Sequence, residues 1–293
     1  MRNFNDYFPE QDETFDKEAW AKEKQAARDG VYKLAADTAV GICKSGKKYR
    51  SYLDVQAVFP GKSVNNALLI LAQNKDARQI GTRDFWRDQG LYVKREEMQN
   101  AIRILEANGT YDREDGTTGT SVDVFKVYDI SQTNARARVQ KPVAYDDRVL
   151  MNALIYNRPV QIISVDELPD NAGALYDHEQ TAIFIKRGLP ADELFCALSK
   201  ELAHAEIAAV DPEYTREGAD FKARSVSYML GKQYGRDVSG YTFTDIPEVL
   251  RDGDPQLIRD ELADTREVAS LISARMSRSL NRDKTPRSQE KER

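Results

Sequence analysis

The sequence is poor in the two residue types that most often build metal and redox centres. Its 293 residues include two cysteines, Cys43 and Cys196, and two histidines, His178 and His204. Two cysteines exclude a framework of several disulfides and a cysteine-based zinc cluster. Cys196 lies within an apolar run, which predicts a buried and inert thiol. Two histidines also exclude any site within one chain that needs three of them.

Long hydrophobic runs are missing as well. The longest uninterrupted apolar run covers residues 67–72, far fewer than the roughly 20 residues that span a bilayer. The first residues are acidic and have neither the cationic start nor the apolar core of a signal peptide. We therefore expect a cytoplasmic protein without a membrane partner.

The composition is that of a globular protein with an uneven charge distribution. Hydrophobic residues make up 41% of the chain and charged residues 31%, and the formal net charge is −5. That net charge argues against a nucleic-acid-binding protein. Residues 44–103, however, contain 12 Lys and Arg against 6 Asp and Glu, a local net charge of +6. The chain can therefore present one basic face.

Hydrophobic periodicity predicts helices packed on a small sheet in the first half and a mixture of strands and helices in the second. The predicted helices are 15–42, 49–59, 64–74, 192–209, 218–234 and 254–276. The predicted strands include 122–128, 160–163 and 182–185, and Ser63 is placed to cap the third helix. The predicted fold class is α+β.

Two domains and a tail are predicted from the composition. A polar and basic stretch near residues 133–147 predicts a boundary between a domain at 15–135 and a second domain at 142–276. Residues 277–293 are rich in Ser, Arg and Lys and predict a disordered basic tail.

Helix 64–74 is unusual because amide side chains bracket an otherwise apolar segment. Asn65 and Asn66 lie at its start, Gln73 and Asn74 at its end, and Asn66 and Gln73 share one stripe because they are seven residues apart. Amides donate and accept hydrogen bonds, which suits base edges and phosphate oxygens. They also suit helix ends and neighbouring loops, and the spacing does not separate these two interpretations.

Residues 81–95 alternate aromatic rings with cations. Binding of single-stranded nucleic acid needs this combination, because bases stack on rings at about 1–3 kcal/mol each and cations neutralise the backbone. The alternative is that Phe85 and Trp86 belong to the core and that the charges form a solvated helix face. For Trp86 the core interpretation is the stronger one, while Tyr92, Lys94 and Arg95 suit either interpretation.

Several short motifs follow one another in a fixed order through this half. They comprise Ser63, Asn66, Leu68, Leu69, Ile70, Gln73, Ala77, Trp86, Gly90, Val93, Lys94 and residues 129–133. In that order they resemble the N-terminal domain of ArdC-type antirestriction proteins, with departures at Lys75, Glu96 and Tyr128. The resemblance implies a protein of a mobile element that binds single-stranded DNA and shields incoming DNA. The residues we predict to contact nucleic acid are Lys62, Asn65, Asn66, Gln73, Arg83, Trp86, Tyr92, Lys94 and Arg95.

The helix at Lys200-Glu201-Leu202-Ala203-His204 carries part of a second motif. It resembles the zinc helix of zincin-type peptidases, in which two histidines four residues apart bind the metal and the intervening glutamate acts as general base. Here Glu201 and His204 are vestigial, because Lys200 occupies the position of the first ligand and its ammonium repels a metal ion.

The remaining ligand of that family is also replaced. Lys222 and Arg224 stand where the resemblance implies acidic residues on the following helix. We expect Lys200 and either Lys222 or Arg224 to pair with Glu201, and His204 to pair with Glu201 or Glu206 at a surface or groove. His178, in a predicted hairpin turn, is not expected to replace the missing ligand. The sequence thus predicts a zincin-like pseudo-metallopeptidase domain with no metal, no cofactor and no catalytic residue.

Three hypotheses about function follow. The leading one is a single-stranded-DNA-binding protein whose second domain serves structure or partner contact. The second is an active hydrolase with a rearranged site that cuts a protein partner. The third is an interaction module whose second domain binds a host restriction or defence protein.

Overall fold

The computed structural model describes residues 16–113, 115–135 and 145–282. These residues form nine α-helices and two small sheets, which confirms the α+β class. The helices are α1 (Lys17–Ile42), α2 (Gly46–Val58), α3 (Val64–Asn74), α4 (Arg83–Asp88), α5 (Asp147–Leu154), α6 (Ala191–Val210), α7 (Arg216–Gln233), α8 (Glu248–Arg251) and α9 (Pro255–Arg282). The strands are β1 (Ile80–Gly81), β2 (Ile102–Asp112), β3 (Thr118–Asp129), β4 (Gln161–Val165), β5 (Ala174–Asp177) and β6 (Ala182–Lys186).

The first three helices begin at polar caps that the sequence supplies. Asp16 accepts hydrogen bonds from the backbone N–H groups of Glu18 and Ala19, and Ser45 caps α2. Ser63 accepts from the N–H of Asn66, as the sequence predicts. Each cap satisfies a backbone donor that the first helical turn leaves without a partner.

Each sheet has three strands. In the first, the order is β1-β3-β2 and both pairings are antiparallel. In the second, the order is β4-β6-β5, with β4 parallel and β5 antiparallel to β6. The β5–β6 connection contains His178, which confirms that this residue lies in a hairpin turn.

The helices of the first half share a hydrophobic core with the second half. Tyr49 on α2 is fully buried, its ring lies 4.9 Å from that of Phe221 on α7, and its hydroxyl lies 3.1 Å from Ser225 Oγ. Buried residues of α1 to α3 and of α6, α7 and α9 belong to one continuous cluster. The two predicted domains are therefore not packed as independent units, because the apolar faces of the first helices are covered by later ones. Most of the predicted boundary, residues 136–144, lies outside the described residues.

The prediction of a disordered tail at 277–293 is wrong for residues 277–282, which are helical. Helix α9 continues to Arg282, and Leu280 is buried in the core four residues after the buried Met276. The apolar stripe of α9 therefore extends one turn beyond the last hydrophobic residue assigned to it from the sequence. Residues 283–293 lie outside the described part. None of the described helices combines the length and the apolar character needed to span a bilayer.

Candidate functional site

Two of the amides on α3 bind the free edge of strand β2. Asn66 Nδ2 donates to the Leu105 carbonyl at 2.8 Å, and Asn66 Oδ1 accepts from the Leu105 N–H at 2.8 Å. Gln73 makes the same pair of bonds to Arg103, both at 2.9 Å. The two amides thus take the place of a further strand. The prediction that Asn66 and Gln73 contact nucleic acid is corrected, because their polar atoms already satisfy buried or edge backbone groups.

Trp86 belongs to the core rather than to a stacking surface. Its side chain is 1% exposed, and its Nε1 donates to the Tyr128 carbonyl at 2.9 Å. The predicted nucleic-acid contact is therefore wrong for Trp86, and the alternative core interpretation describes it. The neighbouring Phe85 is 41% exposed and meets the Trp86 ring edge-on at a centroid distance of 5.0 Å.

Lys62 and Asn65 lie at the beginning of α3. Lys62 Nζ lies 2.6 Å from a carboxylate oxygen of Glu106 on β2. Asn65 is half-buried, and its side-chain oxygen has no hydrogen-bond partner within the described structure. For Lys62, the predicted contact with nucleic acid requires its ammonium to leave Glu106 or to bind Glu106 and a phosphate together.

Three of the predicted residues meet at one shallow depression of about 220 Å³. Arg83 on α4, Tyr92 and Arg95 all line it, and Met98 forms part of its wall. The Tyr92 side chain is 63% exposed. Within the described part of the chain, neither Arg83 nor Arg95 forms an ion pair, whereas Arg87 beside them is paired with Asp84. The depression therefore combines an accessible ring with two cations that have no carboxylate partner there. We call it the Tyr92 depression.

Lys94 lies in the same loop and is exposed. Its Nζ donates to the carbonyl of Ser131 at 3.1 Å, and its backbone N–H donates to the carbonyl of Gln132 at 2.9 Å. The ammonium can bind a further acceptor because it has three donors.

The motif at residues 129–133 holds this loop in place. Asp129 is buried and accepts hydrogen bonds from the N–H groups of Arg78, Gln79 and Ser131 at 2.7, 3.0 and 2.9 Å. Burial alone raises the pKa of Asp129, but the bonds from Ser131, Arg78 and Gln79 hold that pKa below its usual value. Asp129 therefore stays charged and ties β1 to the end of β3.

Gln132 in the same motif connects to the far side of the loop. Its side-chain amide donates to the Asn100 carbonyl at 2.8 Å and to Glu97 at 3.1 Å. Val93 and Thr133 form an isolated antiparallel bridge. The motif that contributes to the family resemblance thus positions Tyr92, Lys94 and Arg95, and its own Asp129, Gln132 and Thr133 are buried.

Glu201 on α6 is held by a guanidinium. Glu201 is 1% exposed, and its two oxygens accept from Arg216 Nη1 and Nη2 at 2.7 and 2.8 Å. The backbone N–H of Tyr176 donates to the same carboxylate at 2.8 Å. A general base has to reach a substrate or water proton, whereas both oxygens of this carboxylate are already engaged.

The expected pairing of Glu201 is therefore partly wrong. Lys200 Nζ lies 3.9 Å from Glu201 and closer, 3.0 Å, to Asp220. Lys222 Nζ lies 3.2 Å from Glu261 Oε2 on α9, and Arg224 Nε lies 2.8 Å from Asp220 Oδ2. Arg216 is the partner instead, because it begins α7 beside α6 and its forked donor matches a carboxylate.

His204 is fully buried and not at a surface. Its Nδ1 lies 3.1 Å from the Tyr214 hydroxyl, and its Nε2 lies 3.7 Å from Asp220 Oδ1 without a hydrogen bond. The expected pairing with Glu201 or Glu206 is wrong, since Glu206 is paired with Arg275. Contacts with His204, and then with Lys200 and Arg224, hold the pKa of Asp220 well below its usual value.

These donors do not fit a zinc ion. Zinc sites in proteins use three or four nitrogen, sulfur or carboxylate ligands. His204 and Asp220 are two such groups, and they are surrounded by the cations of Lys200, Arg216 and Arg224. His178 instead lies with its ring 5.3 Å from that of Tyr214. Among the described residues, no three His, Cys, Asp or Glu side chains are arranged to hold a metal.

Sequence reasoning missed Arg216 and Asp220, although the chain carries a signal for them. Arg216, Asp220 and Arg224 are spaced by four residues and therefore lie on one face of α7. That face contacts α6, and a cleft of about 890 Å³ lined by Lys200, Arg216 and Arg224 opens beside it. A row of alternating charges at this spacing predicts ion pairs with an adjoining helix.

The fold and the site together define an α+β protein with a basic and aromatic loop surface and an ionic cluster between two packed helices. Similar solved structures include the metal-free and the Mn(II)-bound crystal structures of the antirestriction protein ArdC from plasmid R388. Their TM-scores are 0.48 and 0.49 and their identities 18% and 17%. They cover 74% and 73% of this chain and 84% of the ArdC chain in each case. At this identity the likeness is one of fold alone. No family model and no curated protein matches the chain.

Proposed function

We propose that the protein binds single-stranded DNA through the Tyr92 depression and protects incoming DNA of a mobile element, as the motif resemblance implies. The observation that carries the proposal is the meeting of Arg83, Tyr92 and Arg95 at one depression. The local excess of Lys and Arg over residues 44–103 supports it.

The chemistry of the depression suits unpaired nucleotides. An exposed tyrosine ring can stack on any base, because every base has a π-face, and cations beside it neutralise phosphates. A base inside a duplex is already stacked on both sides and does not reach such a ring. Duplex DNA should therefore compete poorly.

Replacing Lys94 and Arg95 together by alanine tests this placement. We expect weaker binding of a labelled thymidine oligonucleotide and a log–log salt slope that is smaller by about 1.4, since each lost phosphate contact of single-stranded DNA removes about 0.7. Fluorescence anisotropy at several salt concentrations measures both, with single-stranded and duplex probes compared on the full chain.

Lys47 and Lys48 provide a matched control. Both are exposed on α2 and have no ion pair in the described ranges, and their helix begins against the Phe243 carbonyl in the second half. Their double replacement by alanine changes the net charge equally and should leave the slope close to that of the natural protein. An unchanged slope in the Lys94 and Arg95 variant, or preference for duplex DNA, would refute the proposal.

We also propose that the second half is inactive as a metallopeptidase. The support is the bidentate Arg216 bond to Glu201 and the cationic surroundings of His204 and Asp220. Metal analysis of the purified protein should find substoichiometric zinc, with an active zincin-type peptidase prepared in parallel as the control. Stoichiometric zinc, together with a hydrolytic activity that is lost in Glu201→Gln, would establish the hydrolase hypothesis instead.

The size of the cleft beside α7 favours one further candidate. A volume of about 890 Å³ can accommodate a segment of a host restriction or defence protein. Binding of such a partner that depends on Arg224 but is insensitive to replacement of Tyr92 and Lys94 would support an interaction module.

A further inference from the structure

The hairpin of β2 and β3 places two cations directly opposite each other. Arg103 pairs with Lys126 in the register, and both side chains are exposed. Both backbone groups of Arg103 bond to Gln73, so they do not bond across to Lys126. Arg103 and Lys126 are thus a non-hydrogen-bonded pair, and such pairs bring their side chains closest together in an antiparallel sheet.

A like-charged pair at this position destabilises a sheet unless a counter-charge is close. The same hairpin contains an opposed acidic pair, Glu106 and Asp123, and there each carboxylate has a counter-charge. Lys62 lies 2.6 Å from Glu106, and Lys24 lies 2.7 Å from Asp123. Within the described ranges the cationic pair has no carboxylate. An anionic ligand can therefore supply the counter-charge that this cationic pair lacks.

Tyr128 links the strand that carries Lys126 to the Tyr92 depression. Lys126 and Tyr128 are two residues apart on β3 and hence on one face of the sheet. The Tyr128 hydroxyl donates to the carbonyl of Met98 at 3.1 Å, and Met98 lines the depression. The buried Tyr128 side chain thus joins the first sheet to one wall of the depression.

An exposed aromatic ring lies on the same face. Gly81 is opposite Tyr128 in the register, and the Phe85 ring occupies the space that a side chain at Gly81 would need. The Phe85 ring therefore covers this face of the sheet beside Tyr128 while keeping 41% of its side chain exposed. Phe85 and the two cations therefore share one face of the first sheet, and rings together with cations are what single-stranded DNA requires.

We propose that Phe85, Arg103 and Lys126 form a second DNA-binding subsite, which we call the sheet subsite. It extends the path of a single strand from the Tyr92 depression across the first sheet. Phe85 stacks on a base, and Arg103 and Lys126 bind phosphates. This inference rests on the proposed function.

The test compares Arg103→Gln/Lys126→Gln with the natural full chain, using labelled thymidine oligonucleotides of about 5 and about 15 nucleotides. For the longer probe we expect affinity at low salt to fall roughly tenfold or more and the log–log salt slope to decrease by about 1.4. The loss for the shorter probe should be smaller, because a short strand can remain in the Tyr92 depression. Lys47→Gln/Lys48→Gln is the matched control and should bind both probes as the natural protein does.

A stability measurement shows whether weaker DNA binding reflects loss of the subsite or unfolding of the protein. The thermal midpoint of Arg103→Gln/Lys126→Gln should equal or exceed that of the natural protein, because the like-charge repulsion is removed. Arg103→Glu is a second variant, which creates an opposed ion pair with Lys126 and should fold normally while binding the longer probe less well.

The outcomes distinguish the two proposals. If the Lys94 and Arg95 variant loses binding while both Arg103 variants bind the longer probe like the natural protein, the sheet subsite is refuted and the proposed function stands. If the natural protein binds no single-stranded probe, the proposed function itself fails.

Discussion

Replacing Arg216 by alanine is expected to lower the free energy of unfolding by about 3–5 kcal/mol. The Glu201 carboxylate is buried and accepts two hydrogen bonds from this guanidinium. Without Arg216 it keeps the Tyr176 N–H and a more distant Lys200. A buried charge without its partner costs far more than a surface ion pair contributes. Urea unfolding measures the loss. If the slope of the unfolding free energy against urea concentration is unchanged, the shift of the midpoint gives the change in stability.

Lys222 on the same helix is the matched control. Its ion pairs with Glu261 and Asp264 are partly exposed, and removing it should cost less than about 1 kcal/mol. A double variant, Arg216→Leu with Glu201→Leu, should recover much of the stability, because replacing both charges leaves no buried ion. Equal losses for Arg216→Ala and Lys222→Ala would mean that Glu201 is not a buried, guanidinium-dependent charge.

Truncation of Trp86 should destabilise the protein much more than truncation of Phe85. Trp86→Ala is expected to lower the free energy of unfolding by about 3–5 kcal/mol, because it removes a fully buried side chain and its hydrogen bond to the Tyr128 carbonyl. Phe85→Ala should cost clearly less, since the ring is partly exposed. Urea unfolding of the two variants in parallel gives the comparison.

DNA binding by Trp86→Phe and Phe85→Ala separates a core role from a surface role. Trp86→Phe, which keeps an aromatic core residue, should bind single-stranded DNA as well as the natural protein wherever it is folded. Phe85→Ala should lose affinity, by up to the 1–3 kcal/mol per base that stacking contributes. If Trp86→Phe instead loses binding at unchanged stability, Trp86 acts as a stacking platform.

The ionic cluster of the second half is the feature that most separates this chain from a zincin-type site. Arg216, Asp220 and Arg224 alternate in charge along one face of α7, opposite Lys200, Glu201 and His204 on α6. Each carboxylate of the cluster has a cation within 3 Å. The two helices are thus joined by ion pairs.

Much of the secondary structure follows from the sequence alone. Helix α3 was expected over residues 64–74 and occupies Val64–Asn74, and α6 and α7 begin within two residues of their expected positions. Apolar spacing and capping residues determine these elements because both act within a few residues along the chain. The basic character of residues 44–103 and the presence of lysine at position 200 are likewise readable directly.

The tertiary structure decided which partner each polar side chain has. The stripe of Asn66 and Gln73 was visible, but whether it faced solvent or the edge of β2 depended on a strand about 30 residues later. Arg216, rather than Lys222 or Arg224, reaches Glu201 because of how α7 packs against α6. The shared core likewise depends on non-local contacts such as that of Tyr49 with Phe221. Helical periodicity states which residues share a face, whereas the packing of distant elements determines what that face meets.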